Sequence, residues 1–537
     1  MDPSQSLHHR TMNWDQRHSQ QSQQIRIGML ALLLVAAILM LANLGGLSLS
    51  VDEFVNVLIE RQTWSEMMTS LQLGADLHPP VTHVIMNVWM RLVGESEWTV
   101  RFPWGVAGIL NVALTFRLAA MLFSDRIGVI SALLLLSAPT YLLYMRFEKY
   151  YALTITLSLL FLIASVALWK SPSRWNLAKY VLTLTALLYT DYLAPLFLVL
   201  SLNVALLLLG RQRRRLVAFL GGQAISAVLF VPWLAIMLAQ ASILKGGAPA
   251  DLGRSGLGML IAILYWPFSI GVGETVFPWQ ISGIVGTLIV AIFAIAGAIV
   301  CIKRKSSNSG RAGPILLLTL ALSLASAAWL TSWIFASVPF IAFPNHTLFL
   351  APLFAMLLAI GAVALPKYGS MTLLTLLLVA RLIGVSNYFT ATNYHNPIYA
   401  VPMREITTSL LSDTSAEDAW VANTDVGLHY YFERLTVDSR GTTPELILLD
   451  NIRRAFGQME AKMPERVWLF QFGRDRTAVV TAESEMEQWL LTHGYALKQE
   501  QGYAEQDERY RRVKELLFKR PAYQYKLVVK EYVRRVE

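Results

Sequence analysis

Two adjacent carboxylates, Asp52 and Glu53, follow the first long hydrophobic segment of the chain, which ends at Leu47. A charged pair at this position either marks the water side of a membrane span or faces a polar cavity beside it. In such a dehydrated cavity a carboxylate has a raised proton affinity and can take a proton from a nearby hydroxyl group. Asp52 is therefore a candidate general base, and Glu53 is the neighbouring alternative.

A second group of charged and aromatic residues occupies positions 146–151. Glu148 could orient a substrate, hold a divalent metal ion together with Asp52, or pair with its cationic neighbours. Lys149 could bind an anion or extend its ammonium group to lipid headgroups. Tyr151 could donate a hydrogen bond to a substrate, although aromatic residues near the end of a span commonly anchor it at the membrane interface.

The composition sets these residues in a membrane. Of the 537 residues, 55% are hydrophobic and only 15% are charged, which is typical of a polytopic membrane protein. Apolar segments of roughly 18 to 25 residues recur from Ile25 to Phe389, each long enough to cross a hydrocarbon core of about 30 Å as a helix. The net charge of +9 comes from Lys and Arg residues dispersed in short loops between these segments. This distribution follows the positive-inside rule and argues against a nucleic-acid partner.

The predicted fold class is mainly α, a polytopic transmembrane bundle of about eleven spans with a C-terminal soluble α/β domain. Because basic loops favour the cytoplasm, this count places the first long loop and the C-terminal domain outside. The predicted parts are a disordered cytoplasmic tail at 1–24, a transmembrane module at 25–392 with outer loops at 48–100 and 241–280, and an extracytoplasmic domain at 393–537. The spans are predicted near 27–44, 101–123, 127–143, 150–169, 178–191, 193–210, 216–240, 281–302, 314–338, 347–365 and 370–389.

Two local patterns refine this organisation. The apolar segment Val81–Val93 is too short to span comfortably and begins directly after His78-Pro79-Pro80, so an interfacial helix is predicted there. In the C-terminal domain, residues 419–422, 466–472 and 525–529 have the composition of strands and are separated by polar helical stretches. This alternation predicts a small α/β module.

In the order of these parts the chain resembles the polytopic GT-C glycosyltransferases, in particular the branch that contains the protein O-mannosyltransferases and the lipid A aminoarabinose transferase. The resemblance covers roughly residues 30–364 and rests on the order and membrane side of several short motifs rather than on any one of them. Besides Asp52-Glu53, these motifs are His78-Pro79-Pro80, Gly94 with Glu97 and Arg101, residues 144–153, residues 188–192, the arginine-rich stretch 211–215 with Pro232-Trp233, and residues 344–352.

The resemblance implies a membrane glycosyltransferase that moves a sugar from a polyprenyl-phosphate carrier to a glycan, lipid or protein acceptor, with inversion at the anomeric carbon. The active site would face the extracytoplasmic side of a bacterial plasma membrane, and the C-terminal domain would select or position the acceptor. Asp52 would be the base, with Glu53 and Glu148 as further catalytic candidates. The candidate ligands of the donor phosphate are Lys149, His78, Arg101 and His346, and the candidate substrate-binding residue is Tyr151.

Two positions depart from the family pattern. Lys149 stands where the family often has Arg, and Asn345-His346-Thr347 stands where it tends to have Arg-Tyr. If such an Arg grips the carrier phosphate, a neighbouring cation must replace it here. His78 could instead only begin its helix, and Arg101 could have a structural role.

Two other functions stay open on the sequence. A transporter or flippase of lipid-linked sugars would also carry intramembrane charges and broken spans, but here the charges cluster in the outer loops. An inactive envelope-assembly protein is the third reading, against which the retained Asp52 argues. A divalent metal ion held by Asp52 and Glu148 is the one cofactor that these residues suggest, because the sequence has no GxGxxG or Walker motif.

Overall fold

The structure is a computed structural model of the chain, and it describes residues 23–209, 213–245, 256–303, 311–333, 344–423, 427–436, 443–472, 477–504, 507–518 and 527–535. These residues form a helical part followed by a part with a five-stranded sheet. The predicted mainly-α bundle with a C-terminal α/β domain is thereby confirmed. The tail predicted at 1–24 lies outside the described residues except for its last two, which begin the first helix.

The helical part is built from predominantly apolar helices. Seven of the described helices are long and apolar enough to cross a membrane, or eight if one bent pair is counted as a single span. The count of about eleven spans therefore stays a prediction. The helices are α1 (Gln23–Leu41), α2 (Val51–Glu60), α3 (Trp64–Gln72), α4 (Val81–Val93), α5 (Glu97–Leu122), α6 (Asp125–Leu136), α7 (Pro139–Met145), α8 (Tyr151–Lys170), α9 (Arg174–Leu188), α10 (Leu193–Leu209), α11 (Arg213–Lys245), α12 (Gly256–Gly271), α13 (Ile281–Lys303), α14 (Ala312–Trp333), α15 (Ala351–Ala364) and α16 (Lys367–Phe389).

The three short helices after α1 place the acidic residues. α2 begins after Ser50, whose backbone N–H donates to the Glu53 carboxylate at 2.9 Å, as in a capping box. α4 has the predicted bounds because Pro80 suits the start of a helix, while Gly94, with φ of +82°, ends it. α2 and α4 pack together, which brings the end of α2 against the first turn of α4.

Two predicted elements differ from the structure. The span predicted at 127–143 is broken into α6 and α7, which meet at 70°. Pro139 begins α7, where its missing N–H leaves no helical hydrogen bond unmade. The loop predicted at 241–280 contains α12, an apolar helix of 16 residues, which was missed because the charged residues on both sides of it suggested a water-exposed segment.

A buried arginine in α16 stabilises the break between α6 and α7. Arg381 Nη1 donates to the Leu134 carbonyl at 2.5 Å and to the Ser137 hydroxyl at 2.9 Å. Its Nε donates to the Gly271 carbonyl, at the end of α12, at 2.8 Å. The last carbonyls of a helix have no hydrogen-bond partner within the helix and carry partial negative charge. A buried cation that donates to them supplies the missing hydrogen bonds and offsets this charge. Arg381 therefore joins the ends of two helices.

The C-terminal part is a mixed sheet covered by helices. Its strands are β1 (Ala419–Ala422), β2 (Glu445–Leu448), β3 (Arg466–Phe472), β4 (Tyr495–Tyr503) and β5 (Leu527–Arg534), and its helices are α17 (Met403–Asp413), α18 (Leu428–Thr436), α19 (Ile452–Lys462), α20 (Thr477–Thr492) and α21 (Glu508–Phe518). The strand order is β2-β1-β3-β5-β4. β1 is parallel to β2 and β3, whereas β5 is antiparallel to β3 and β4. The strands predicted at 419–422 and 466–472 match β1 and β3.

The C-terminal part packs against the loop that leads into α2. The Leu49 backbone N–H donates to the Tyr431 hydroxyl at 2.6 Å. The Ser48 hydroxyl donates to the Glu405 carboxylate at 2.8 Å. These contacts join α17 and α18 to the residues just before the acidic pair.

Candidate functional site

Asp52 and Lys149 form an ion pair between the first turn of α2 and the start of α8. Asp52 Oδ1 lies 3.6 Å from Lys149 Nζ, with the Asp52 side chain 47% exposed and the Lys149 side chain 13% exposed. Burial acts to lower the pKa of Lys149, but the nearby Asp52, Tyr151, Asp76 and Glu148 together outweigh burial and raise the pKa above its ordinary value. The ammonium group therefore stays charged, and the pair presents an accessible carboxylate beside a positive charge.

Glu53 is next to Asp52 in the sequence but faces the interior of the protein. It is 1% exposed, and its two carboxylate oxygens accept hydrogen bonds from Arg101 at 2.7 and 2.8 Å. The other Arg101 donors bind backbone carbonyls between residues 44 and 48. All N–H donors of Arg101 are used in this way, so the pair ties α5 to the loop before α2 and leaves Arg101 no donor for a phosphate.

Glu148 is buried behind this ion pair. Its backbone N–H donates to the Glu53 carboxylate at 3.0 Å. Burial, together with the nearby Glu60 and Glu53 carboxylates, raises the pKa of Glu148 well above its ordinary value, against the opposing effect of Lys149. The metal site suggested for Glu148 and Asp52 stays a prediction. Within the described ranges, no group of three or more His, Cys, Asp or Glu side chains is arranged to hold a metal ion.

Two histidines and a tyrosine lie beside the Asp52–Lys149 pair. The His78 ring packs on Tyr150 with ring centroids 4.1 Å apart, and the Tyr150 hydroxyl lies 3.3 Å from His346 Nδ1. His346 is within electrostatic range of His78, Lys149 and Asp52. The fold therefore gathers residues that are more than 290 positions apart in the sequence, as the numbering shows.

Aromatic side chains form one wall of this region. The Tyr151 hydroxyl accepts a hydrogen bond from Asn345 Nδ2 at 2.7 Å, and its ring meets the edge of Tyr144 at 5.1 Å. Phe147 and Tyr399 continue the wall, with centroids 5.2 Å apart. Tyr144, Phe147 and Tyr151 are buried, so this cluster packs the interior beside the ion pair.

Sequence reasoning missed Glu60, Asp76 and His83, which lie behind His78. The two ring nitrogens of His83 contact Glu60 and Asp76, and Asp76 also contacts His78. Glu60 and His83 are 23 positions apart on two different helices, so no helical or strand period connects them. The only signal was polar residues on otherwise apolar short helices.

The bundle, its acidic first loop beside cations and aromatic residues, and the C-terminal α/β part form the arrangement that the resemblance to the GT-C glycosyltransferases predicts. The family model described as dolichyl-phosphate-mannose-protein mannosyltransferase matches residues 77–236. The matched segment contains His78, Lys149 and Tyr151.

Two solved structures are similar over nearly the whole chain. ArnT from Cupriavidus metallidurans in the apo state has a TM-score of 0.55 and 12% identity, with 95% of this chain and 98% of that chain covered. The same ArnT bound to undecaprenyl phosphate has a TM-score of 0.52 and 11% identity, with 93% and 97% covered. At such low identity these similarities establish a shared fold alone. A comparison with curated protein sequences finds no match.

Proposed function

We propose that the protein transfers a sugar, with inversion, from a polyprenyl-phosphate-linked donor to a hydroxyl group of a glycan, lipid or protein. The reaction takes place on the extracytoplasmic side of a bacterial plasma membrane. The observation that carries the proposal is the Asp52–Lys149 ion pair beside His78 and His346. It combines a carboxylate that an acceptor can reach with groups that suit a phosphate. The match of residues 77–236 to a family of lipid-phosphate-sugar transferases supports the same reaction class.

In this proposal Asp52 takes the proton of the acceptor hydroxyl while the hydroxyl oxygen attacks the anomeric carbon. The bond from that carbon to the carrier phosphate breaks, and the polyprenyl phosphate leaves with the electron pair. A single displacement of this kind inverts the anomeric centre. Lys149 and His78 bind the phosphate both in the intact donor and while the bond breaks.

The distance between Asp52 and Lys149 bears on how Asp52 becomes available as a base when the donor binds. At 3.6 Å the Lys149 ammonium is loosely held by Asp52. A donor phosphate placed beside Lys149 competes with Asp52 for this cation, because both are anionic oxygen ligands. Asp52 is then released to act as a base when the donor is bound.

The remaining candidates have supporting roles in this scheme. Glu53 and Arg101 hold the loop that carries Asp52, and the Glu148 backbone N–H donates to the same Glu53 carboxylate. Tyr151 contributes its ring to the aromatic wall. His346 contacts the donor phosphate together with His78.

The test is release of polyprenyl phosphate from a panel of polyprenyl-phosphate sugars by the purified protein in detergent. We expect release that depends on an added acceptor, and a product whose anomeric configuration is opposite to that of the donor by NMR. A product with retained configuration would contradict direct displacement. Movement of intact donor across vesicles without any release would favour the flippase instead.

A further inference from the structure

A hydrogen-bonded line of alternating carboxylates and imidazoles runs from the end of α2 to the candidate site. His83 Nδ1 lies 3.0 Å from Glu60 Oε1, and His83 Nε2 lies 3.2 Å from Asp76 Oδ2. The other Asp76 oxygen lies 2.6 Å from His78 Nδ1 and also accepts from the His78 backbone N–H at 3.2 Å. Asp76 therefore connects the two histidines.

The His78 end of this line is its most exposed end, whereas the Glu60 end lies buried near Glu148. The side chains of Glu60 and His83 are 0% and 2% exposed, whereas that of His78 is 24% exposed. The His78 ring packs on Tyr150. The proposed chemistry assigns no role to Glu60, Asp76 or His83, although burying charged groups is costly unless they are paired.

The charges along the line follow from its geometry. Both ring nitrogens of His83 face carboxylate oxygens, which favours the doubly protonated ring. Burial acts to lower the pKa of His83, but the hydrogen bonds with Asp76 and Glu60 outweigh it and raise the pKa to about 9. Burial likewise acts to raise the pKa of Asp76, but His78 and His83 hold it well below its ordinary value. At neutral pH a positive His83 therefore lies against a negative Asp76.

We propose that Asp76 and His83 are positioning residues for the donor phosphate and act through His78. The Asp76 carboxylate accepts a hydrogen bond from His78 Nδ1, which leaves Nε2 as the ring nitrogen that can bind a phosphate oxygen. His83 offsets the negative charge of Asp76 and Glu60, which would otherwise repel an anionic ligand. The inference rests on the proposed function, because it concerns the same phosphate site.

Two substitutions break the same hydrogen bond but change the local charge in opposite directions. His83→Gln removes a positive charge, whereas Glu60→Gln removes a carboxylate and keeps the size of the side chain. A unit charge acting over roughly 10 Å at an effective dielectric constant near 20 changes affinity by about tenfold. We therefore expect His83→Gln to weaken phosphate binding about tenfold and Glu60→Gln to leave it unchanged or tighter.

The probe is undecaprenyl phosphate, titrated into the purified full-length protein in detergent and followed by tryptophan fluorescence, with the melting temperature of each variant measured in parallel. If the line were only structural, both substitutions would weaken binding alike, in step with the loss of stability. That result, or unchanged binding by a folded His83→Gln variant, would overturn the assignment of His83.

Asp76→Asn gives a second, independent test that does not need a folded His83→Gln protein. Loss of a negative charge alone would tighten phosphate binding, whereas loss of the fixed His78 ring weakens it. We expect weaker phosphate binding than in Glu60→Gln, which removes the other carboxylate partner of His83, and binding equal to or tighter than that of the wild type would contradict the positioning role. A wild-type protein that does not bind undecaprenyl phosphate at all would overturn the proposed function itself.

Discussion

Asp52 and Glu53 are consecutive residues in the first turn of α2, yet they have opposite surroundings. The helix turns by about 100° from one residue to the next, so the Asp52 carboxylate faces the accessible side and the Glu53 carboxylate faces Arg101. Neutralising these two adjacent carboxylates is therefore expected to have different effects, a loss of turnover at Asp52 and a loss of stability at Glu53.

We predict that Asp52→Asn keeps the fold but lowers turnover by about 10²- to 10⁴-fold, the usual contribution of a general base. Glu53→Gln is the matched comparison, because it leaves Arg101 buried without its charge partner. We expect it to lower the free energy of unfolding by about 3 to 5 kcal/mol. Turnover and melting temperature in detergent separate the two effects. A near-native rate for Asp52→Asn would transfer the role of base to another carboxylate.

A second prediction concerns Lys149, whose ammonium group we place on the donor phosphate. Because this contact exists in both the ground state and the transition state, Lys149→Ala should raise KM for the donor more than it lowers kcat. A lost charge-assisted hydrogen bond costs about 1.5 to 3 kcal/mol, or about 10- to 150-fold in KM.

Lys170→Ala is the control for this substitution, since Lys170 is the last residue of the same helix, α8, at the end away from the site. It should leave both kinetic constants unchanged. An unaltered donor KM with a reduced kcat in Lys149→Ala would instead place Lys149 at the leaving group in the transition state alone.

At the scale of whole elements, the broken span depends on one buried cation. Replacing Arg381 by Met leaves the Leu134 and Gly271 carbonyls and the Ser137 hydroxyl without this donor. Each buried acceptor left unpaired costs about 1 to 3 kcal/mol. We therefore predict a clear fall in melting temperature for Arg381→Met, measured in detergent, and little change for Arg174→Met, whose side chain is exposed beside Trp175. Equal melting temperatures for the two variants would contradict the capping role.

Elements with a local signal could be predicted from the sequence. α4 was predicted with its bounds because Pro80 and Gly94 mark its ends. β4, from Tyr495 to Tyr503, was missed because eight of its nine residues are at least partly exposed, so it lacks the buried alternation of a typical strand. α12 was missed because its apolar sequence lies between charged segments.

The residues of the candidate site likewise include some that have a local signal in the sequence and some that do not. The chemical character of Asp52, Lys149 and His78 indicated a role in the site. The order of the motifs predicted that these residues lie on the outer side of the membrane. The opposite environments of Asp52 and Glu53, and the contacts of His83, depend on how helices pack. Packing between distant segments leaves no period in the sequence.

At the scale of the whole molecule, two of the contacts between the C-terminal part and the helical part illustrate how the two are joined. One is the Tyr431 hydroxyl on Leu49, just before α2. The other is Tyr510 of α21, which stacks on His395 at 4.7 Å, while the His395 backbone N–H donates to the Glu274 carbonyl at 2.9 Å. The first contact connects this domain to the position of Asp52 as well as to any acceptor.

We predict that Tyr431→Phe lowers kcat several-fold without changing the donor KM, because the loop before α2 loses the acceptor of the Leu49 N–H. Tyr495→Phe is the matched control. Its hydroxyl donates to the Pro464 carbonyl at 2.7 Å inside the C-terminal part, so a similar loss of stability, about 1 kcal/mol, occurs away from the loop. Equal effects of the two substitutions on kcat would show that the contact with Leu49 has no catalytic consequence.

The orientation of the molecule gives a fifth prediction. The predicted eleven spans, with basic loops facing the cytoplasm, would place Asp52 and the C-terminal part on the same, outer side. A reporter enzyme that is active only outside the cytoplasm, fused after Glu537, should be active. Activity of a cytoplasmic reporter at the same position would show that the number of spans is even.

The hydrogen bond between Leu49 and Tyr431 joins residues 382 positions apart. A ribosome that adds about 5 to 20 residues per second needs roughly 20 to 80 s to travel that distance. During this interval the segment that carries Asp52 has already been synthesised, but its partner does not yet exist. The loop before Asp52 therefore obtains this hydrogen bond only after Tyr431 has been synthesised.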